Sequence, residues 1–301
     1  MTRLAEKAGR ALLRAVSCLP FFLLALLARA LRFILYRLLG YRVDVTKDNL
    51  RRSFPEKSHQ EITLILRRFY LHLSEMVLEV VLYIGNRVRL RQRKRGACII
   101  NEDEALLQHY LTENQSIIVM MGHYGNWEWS ALPLAQAGFR VLGIYKPQSS
   151  RLADNLMKWI REKPGILAVP MKETFRAVRT ALVDGGPPFA LILISDQIPA
   201  PGDIHFWARF LGRETAFFTG GGKLAKRFGL PVLYASQTKE RFGRYRMHLK
   251  PLWHPGDPGD EEEITRAFIA NLEGSVREVP HLWLWSHRRW KYRRENVPLN
   301  P

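Results

Sequence analysis

The chain has 301 residues, 47% of them hydrophobic, which is enough for one large domain or two ordinary ones around a real core. That content excludes a disordered protein, and two cysteines, Cys18 and Cys98, are too few for a disulfide-stapled scaffold. Lysine and arginine total 46 against 28 aspartates and glutamates, a formal net charge of +18. This excess predicts an anionic partner: nucleic acid, an acidic lipid, or an acidic protein or substrate.

The amino-terminal segment, residues 1–45, is predicted to be a membrane-anchoring helix, followed by one main domain over residues 46–301. Its longest uncharged run extends from Ala15 to Ala28, shorter than the roughly 20 apolar residues of a membrane-spanning helix. Arg29 and Arg32 interrupt this run before the apolar pattern resumes as far as Tyr41. The segment could therefore span a bilayer or lie flat in its interface. A cleaved signal peptide and a buried soluble helix are the other two interpretations.

Beyond this segment the pattern predicts a long helix over 59–84, and Ser58 and Glu61 have the spacing of a capping box at its start. Strands and helices then alternate. The predicted strands are 116–121, 140–145, 166–170, 189–195, 231–238 and 244–250. The predicted helices are 102–113, 126–137, 151–162, 172–184, 219–228 and 260–278. Short apolar strands between amphipathic helices indicate an α/β fold with a mostly parallel central sheet flanked by helices.

Strand 116–121 runs into Gly122-His-Tyr-Gly-Asn-Trp-Glu-Trp129, so His123 falls at the carboxyl end of a strand, where functional groups gather in such sheets. Glu128 can approach His123 if a helix starts at Asn126, a favoured N-cap, after a tight turn at Gly125. A carboxylate beside the imidazole would fix its tautomer, as the orienting half of a base dyad. His123 would then take a proton from a hydroxyl that attacks an activated acyl group. The alternative is a structural histidine at a strand end.

At these residues the sequence resembles the bacterial lipid A biosynthesis acyltransferases, the late or secondary acyltransferases of the His-x4-Asp/Glu superfamily. The resemblance covers nearly the whole chain and rests on several segments in order. These are Asn49-Leu50 with Ser53-Phe-Pro-Glu56, Gly122–Glu128, Tyr145-Lys-Pro147, Asp196-Gln197, Phe210-Leu-Gly212 with Thr215, and Leu282–Lys291. Glu128 stands where many members have aspartate.

The resemblance implies acyl transfer from acyl carrier protein, or from acyl-CoA, to a hydroxyl of a lipid A precursor, an anionic glycolipid. The resemblance implies that the reaction takes place on the cytoplasmic face of the inner membrane, with membrane lipids as further partners. It implies no cofactor and no nucleic-acid partner. No HExxH or CxxC pairing is present, so no metal is predicted.

The resemblance also assigns supporting residues. Arg161, near the end of helix 151–162, would stabilise the developing oxyanion or bind a substrate phosphate; otherwise it is a cation favoured at a helix carboxyl end. Lys146 would bind phosphate or reach the bilayer surface. Asp196 emerges from a buried strand and could pair with Arg161 or another cation, with Gln197 beside it.

Two alternatives stay open at this point. The acceptor could be another lipid, such as an aminolipid or a glycosylated phospholipid. The protein could instead be a non-enzymatic basic binder of membrane or nucleic acid, driven by its positive charge.

Overall fold

The computed structural model describes residues 2–84, 88–89, 97–147, 150–162 and 165–296. The α-helices in chain order are α1 (Thr2–Ser17), α2 (Phe21–Phe33), α3 (Val43–Ser53), α4 (His59–Ile84), α5 (Glu104–Thr112), α6 (Ala131–Ala137), α7 (Arg151–Glu162), α8 (Thr174–Val183), α9 (Gly220–Phe228) and α10 (Glu261–Glu278). The strands are β1 (Val88–Arg89), β2 (Ala97–Asn101), β3 (Ile117–Met121), β4 (Arg140–Tyr145), β5 (Leu167–Pro170), β6 (Phe189–Ile194), β7 (Phe206–Phe210), β8 (Arg213–Phe217), β9 (Val232–Arg241) and β10 (Arg244–Trp253).

A central eight-stranded sheet has the order β1-β2-β10-β9-β3-β6-β4-β5, and β7 and β8 form a separate hairpin. Within the described chain, neighbouring strands of the large sheet are parallel except for the pair β9 and β10. The predicted α/β fold with a mostly parallel sheet flanked by helices is therefore confirmed.

Strand β3 shows why these apolar runs form the middle of the sheet. Ile118 and Met120 pack into one apolar cluster, with α9 and α10, while the alternate residues Ile117, Val119 and Met121 pack into the other, with α5, α6 and α7. A strand covered on both faces must be apolar at every position. The adjacent strand β6 lies in register, with Ile194 opposite Met121, so both strands end at the same edge of the sheet.

Most predicted elements are confirmed to within a few residues, including the capping box, in which Glu61 Oε2 accepts from the Ser58 backbone N–H at 2.8 Å. The predicted helix 126–137 is partly wrong. Residues Trp127–Trp129 form a 3-10 turn, and the α-helix begins only at Ala131. The sequence analysis also missed β2 and the β7–β8 hairpin.

The amino-terminal segment is not the single helix that we predicted. A break at Cys18–Pro20 separates α1 from α2, since proline cannot donate the hydrogen bond that would continue α1. A π-helical turn, Ile34–Leu38, then extends α2. In the described residues no one helix combines the length and the apolarity needed to cross a membrane. Lys7–Ser17 and Phe21–Leu38 meet that test only as a pair bent by 118°.

One side of this segment is buried and the other is exposed. Leu24 and Ala28 of α2 are fully buried in a cluster with Leu78 and Leu82 of α4. The opposite side exposes large apolar side chains at Phe22, Leu26, Leu27, Phe33, Ile34, Leu38 and Leu39.

Candidate active site

His123 and Asp196 meet at the carboxyl edge of the sheet, because each lies two residues beyond a paired strand end. His123 Nδ1 is 2.5 Å from Asp196 Oδ1, and the His123 backbone N–H donates to Asp196 Oδ2 at 2.8 Å. An ionised carboxylate only accepts hydrogen bonds, so in the neutral imidazole the proton lies on Nδ1, and Nε2 of that neutral ring has its lone pair available. Gln197 agrees with this tautomer, because its side-chain Nε2 lies 3.1 Å from His123 Nε2 and donates to it.

Asp196 is held in its ionised form although it is only 2% exposed. Burial alone would raise the pKa of Asp196, but the neighbouring His123, with its two hydrogen bonds, and the indole N–H of Trp283 outweigh burial, and the pKa is lowered. Trp283 Nε1 donates to Asp196 Oδ2 at 2.7 Å. The carboxylate is thus fixed by two donors besides the imidazole, which is the arrangement that orients a catalytic histidine.

Glu128 does not hold His123, contrary to our prediction. Glu128 forms a bidentate ion pair with Arg161, in which Arg161 Nε donates to Oε2 at 2.9 Å and Nη2 donates to Oε1 at 2.6 Å. The cause is local: the 3-10 turn replaces the first helical turn on which the prediction depended. Trp127 is the residue of this turn that contacts the imidazole, with ring centroids 5.0 Å apart.

Of the two partners that we predicted for Asp196, Arg161 or another cation, Arg161 is wrong, because Asp196 bonds to His123 and Glu128 bonds to Arg161. Burial alone would lower the pKa of Arg161, but its bonds to Glu128 raise it. Arg161 stays cationic at the edge of the site, and two of its three nitrogens are committed to Glu128.

Asn126 is buried and stands at an N-cap position as predicted, but it precedes the 3-10 turn Trp127–Trp129 and not an α-helix. It makes no side-chain capping bond, and its Nδ2 instead donates to Glu79 Oε2 of α4 at 2.9 Å. The Asn126 side chain thus ties the turn after His123 to α4 and does not cap a helix.

The site opens into a cavity of about 550 Å³. Four predicted site residues line it, namely His123, Lys146, Arg161 and Gln197. Much of the remaining wall is apolar, with Ile144, Ile194, Phe175, Phe218 and Leu224. A second, smaller cavity of about 60 Å³ shares part of this wall. Its lining is mainly apolar, including Gly143, Ile166 and Ile192, and also contains Glu128 and Arg161. A polar edge beside apolar space suits an amphiphilic ligand.

Among the residues that the structure describes, no three histidine, cysteine, aspartate or glutamate side chains are grouped closely enough to hold a metal ion. The ionisable groups that the structure places at the cavity include the His123 imidazole, backed by the Asp196 carboxylate, and the cations Lys146 and Arg161.

A profile of the bacterial lipid A biosynthesis acyltransferases matches residues 2–292 of this chain. The chain belongs to this family. It is 22% identical over 285 residues to the lipid A biosynthesis palmitoleoyltransferase of Escherichia coli K12, an alignment that covers 91% of this chain and 87% of the relative. It is 24% identical over 298 residues to the lipid A biosynthesis lauroyltransferase of the same organism, covering 96% and 92%.

A solved structure was also compared, that of a 1-acyl-sn-glycerophosphate acyltransferase from Thermotoga maritima. The match covers 87% of this chain and 97% of the other, with 15% identity and a TM-score of 0.34, too low to establish a common fold.

Two features of this acyltransferase escaped the sequence analysis. The closing segment carries Trp283, whose indole N–H needs an acceptor once it is buried. Its position in a tryptophan-rich block was the available signal. The same segment places Arg289 inside the protein, 1% exposed, where its Nη2 donates to the Ala216 carbonyl. That arginine is part of the interior and not of a basic surface.

Proposed function

We propose that this acyltransferase moves a fatty acyl group from a thioester donor, an acyl carrier protein or acyl-CoA, to a hydroxyl of a lipid A precursor. The observation that carries the proposal is the His123–Asp196 pair, which leaves Nε2 of His123 directed at a large amphiphilic cavity. Our earlier assignment of Glu128 as the orienting carboxylate is replaced by Asp196.

In the proposed reaction Gln197 gives up its contact with His123 Nε2 and the acceptor hydroxyl takes that place. The hydroxyl oxygen bonds to the thioester carbonyl carbon while its proton moves to Nε2. The tetrahedral intermediate then collapses with cleavage of the carbon–sulfur bond. The departing thiolate takes the proton from His123, which leaves an ester, a free thiol and the starting imidazole.

The cations have separate proposed roles. Arg161 keeps Nη1 free of its pair with Glu128, and this group would stabilise the negative charge on the carbonyl oxygen or bind a substrate phosphate. Lys146 lies exposed on the cavity wall and would bind an anionic group of the acceptor. Glu128 acts through Arg161 by fixing the direction of its guanidinium.

We further propose that the enzyme works at the cytoplasmic face of the inner membrane, with α2 and the following π-helical turn lying in the bilayer interface. Phe22, Phe33 and Leu39 are 64%, 56% and 68% exposed, and Arg29 and Arg32 lie among such residues in sequence. Apolar side chains flanked by arginines are typical of helices bound to an anionic lipid surface.

The reaction is tested by mass spectrometry of total lipids from cells that express the wild-type protein, no protein, His123→Ala, or a control, His109→Ala, which changes an exposed histidine of α5. We expect a glycolipid lighter by one acyl group in the deletion strain, restored by His109→Ala and not by His123→Ala. A shift in another lipid class would move the activity to that acceptor. Full restoration by His123→Ala would refute the assignment of His123 as the general base.

The membrane proposal is tested by flotation of the purified full-length protein with vesicles. We expect flotation with anionic phosphatidylglycerol vesicles, and weaker flotation for a variant in which Phe22, Leu26 and Leu39 are changed to serine. Equal flotation of both proteins would contradict an interface built on this surface.

A further inference from the structure

The turn that follows His123 is held by the side chain of Gln237, which bonds to the backbone N–H and C=O of one residue as a paired β-strand would. Gln237 of β9 accepts the backbone N–H of Asn126 through Oε1 at 2.7 Å and donates to the carbonyl of Asn126 through Nε2 at 2.9 Å. Its Nε2 also donates to Ser130 Oγ at 2.7 Å. Gln237 is only 3% exposed, so these bonds form away from water and hold the two peptide groups on either side of the Asn126 Cα.

The absence of a side chain at Gly125 allows Gln237 to come this close to the turn. Its φ is +65°, and a Cβ placed there would stand 2.7 Å from Gln237 Oε1 and 2.9 Å from Gln237 Cβ. Both the backbone conformation and the close contact exclude a larger residue without strain. The turn and the glutamine are therefore fitted to each other.

Helix α4 holds the same turn from a second direction. Glu79 is fully buried and accepts from Asn126 Nδ2 at 2.9 Å, from Tyr245 OH at 2.8 Å and from the Gly243 backbone N–H at 2.7 Å. About two helical turns before Glu79 on α4, His72 Nε2 donates to the Gly125 carbonyl at 3.2 Å.

His72 can donate to Gly125 because its other nitrogen is an acceptor. Lys239 Nζ lies 3.0 Å from His72 Nδ1 and 2.7 Å from Glu75 Oε2. Burial, and then Lys239, hold the pKa of His72 well below its usual range, so the ring stays neutral with its proton on Nε2. Each polar group facing the turn from α4 thus has a defined donor or acceptor role.

We propose that Gln237, Glu79 and His72 form a loop clamp of positioning residues that sets the direction of His123. They contact no reacting atom and act through the peptides of Gly125 and Asn126. The opposite side of the loop is already tied to the closing segment, since the Leu284 N–H donates to the His123 carbonyl and the Gly125 N–H to the Leu282 carbonyl, both at 3.0 Å.

The proposal rests on the proposed role of His123 and adds the residues that aim it. An apolar interior would stabilise this part of the fold as well as a buried polar network, because burying charges and amides costs desolvation. What the network adds is geometric definition. A displacement of a catalytic group by about 1 Å can slow a reaction on the order of a hundredfold.

The test uses the full-length enzyme and three variants. Gln237→Met keeps the length of the side chain and removes all three hydrogen bonds of Gln237, two to the Asn126 backbone and one to Ser130 Oγ. Gln237→Glu can still donate to the Asn126 carbonyl, but only when its carboxyl is protonated. Ser74→Ala is the control, since Ser74 is buried on α4 and, among the described residues, its hydroxyl donates only to the Tyr70 carbonyl of its own helix. The parameters kcat and KM are measured at a temperature where circular dichroism shows each variant folded.

We expect Gln237→Met to lower kcat by about tenfold to a hundredfold with KM changed less than about threefold, and Ser74→Ala to match wild type. For Gln237→Glu, the ratio of its kcat to that of wild type should rise as the pH falls from about 8 to about 6, because a buried carboxyl gains its proton in that range. Should Gln237→Met fail to fold, this pH-dependent ratio remains the deciding result.

Three results would overturn the clamp: wild-type kcat in folded Gln237→Met, an equal loss in Ser74→Ala, or a ratio for Gln237→Glu that does not change with pH. A His123→Ala reference separates this failure from that of the proposed function. If His123→Ala is inactive and Gln237→Met is fully active, only the clamp fails. If His123→Ala keeps wild-type activity, the general base itself is refuted.

Discussion

Replacement of Asp196 by asparagine should trap His123 in the wrong tautomer. Two donors are fixed at Oδ2 of Asp196, the His123 backbone N–H at 2.8 Å and the Trp283 indole N–H at 2.7 Å. The oxygen of the new amide must face these donors, so its NH2 group must face His123 Nδ1. A nitrogen that accepts a hydrogen bond carries no proton, and the imidazole proton would move to Nε2. Nε2 could then no longer take the proton of the acceptor hydroxyl.

The expected loss follows from the contribution of a general base, which is about 10²- to 10⁴-fold in rate. That factor corresponds to about 2.7–5.4 kcal/mol of activation free energy. KM for both substrates should change little, because Asp196 is buried behind the imidazole and does not line the cavity. The loss should therefore appear in kcat.

The assay is the initial rate of acyl transfer from an acyl carrier protein thioester to a lipid A precursor in detergent micelles, followed by mass spectrometry. Asp184→Asn is the matched control, since Asp184 is an exposed aspartate paired with Arg140 at the far end of α8. Wild-type kcat in Asp196→Asn, or an equal loss in Asp184→Asn, would refute the assignment of Asp196 as the orienting group.

The other predictions concern stability. Glu128→Gln removes the counter-charge of a largely buried guanidinium, so it should lower the free energy of unfolding in urea by about 1.5–3 kcal/mol, and Arg161→Lys, which cannot form both bonds, should lower it too. The pKa of His72 is lowered, so the unfolded chain binds more protons below about pH 6.5 and His72 makes the protein less stable as the pH falls, by up to about 1.4 kcal/mol per pH unit. His281 and His287 act in the same direction, so His72→Gln should reduce the slope without removing it. Gly125→Ala should cost about 1–3 kcal/mol in thermal unfolding, while Gly274→Ala, in an open helix position, should stabilise by about 0.5–1 kcal/mol. An unchanged Gly125→Ala would contradict the strain argued for that position, and an unchanged Gly274→Ala would contradict only the expected gain at the open helix position.

The elements and the edge that carries the site could be predicted from sequence because both depend on short-range patterns. Apolar runs fix β3 and β6, and parallel pairing brings His123 and Asp196 to one edge. The pairing of side chains could not be predicted in this way. Whether Glu128 reaches His123 or Arg161 depends on a single turn, and the choice of a 3-10 turn is made by contacts from distant residues.

Gln237 shows the same limit most clearly. Nothing around it in β9 distinguishes it from a glutamine facing solvent, since its function comes from Asn126, more than a hundred positions earlier. The burial of Glu79 was equally hidden, because a carboxylate within an amphipathic helix usually faces water. Such residues become visible only when the chain is folded.

Helix α4 gives the amino-terminal segment a place in the architecture of the enzyme. Leu78 and Leu82 of α4 pack against α2. Glu79, between them in sequence, bonds to Asn126 in the turn after His123. We expect a chain shortened to residues 46–301 to expose Leu78 and Leu82 to water and to loosen α4, the helix that bonds to the turn after His123. Residues 1–45 are thus an integral part of the packed structure and not only an attachment segment. For anyone seeking a soluble form of the enzyme, apolar positions on the outer side of α2 are the ones to redesign, with the helix itself kept.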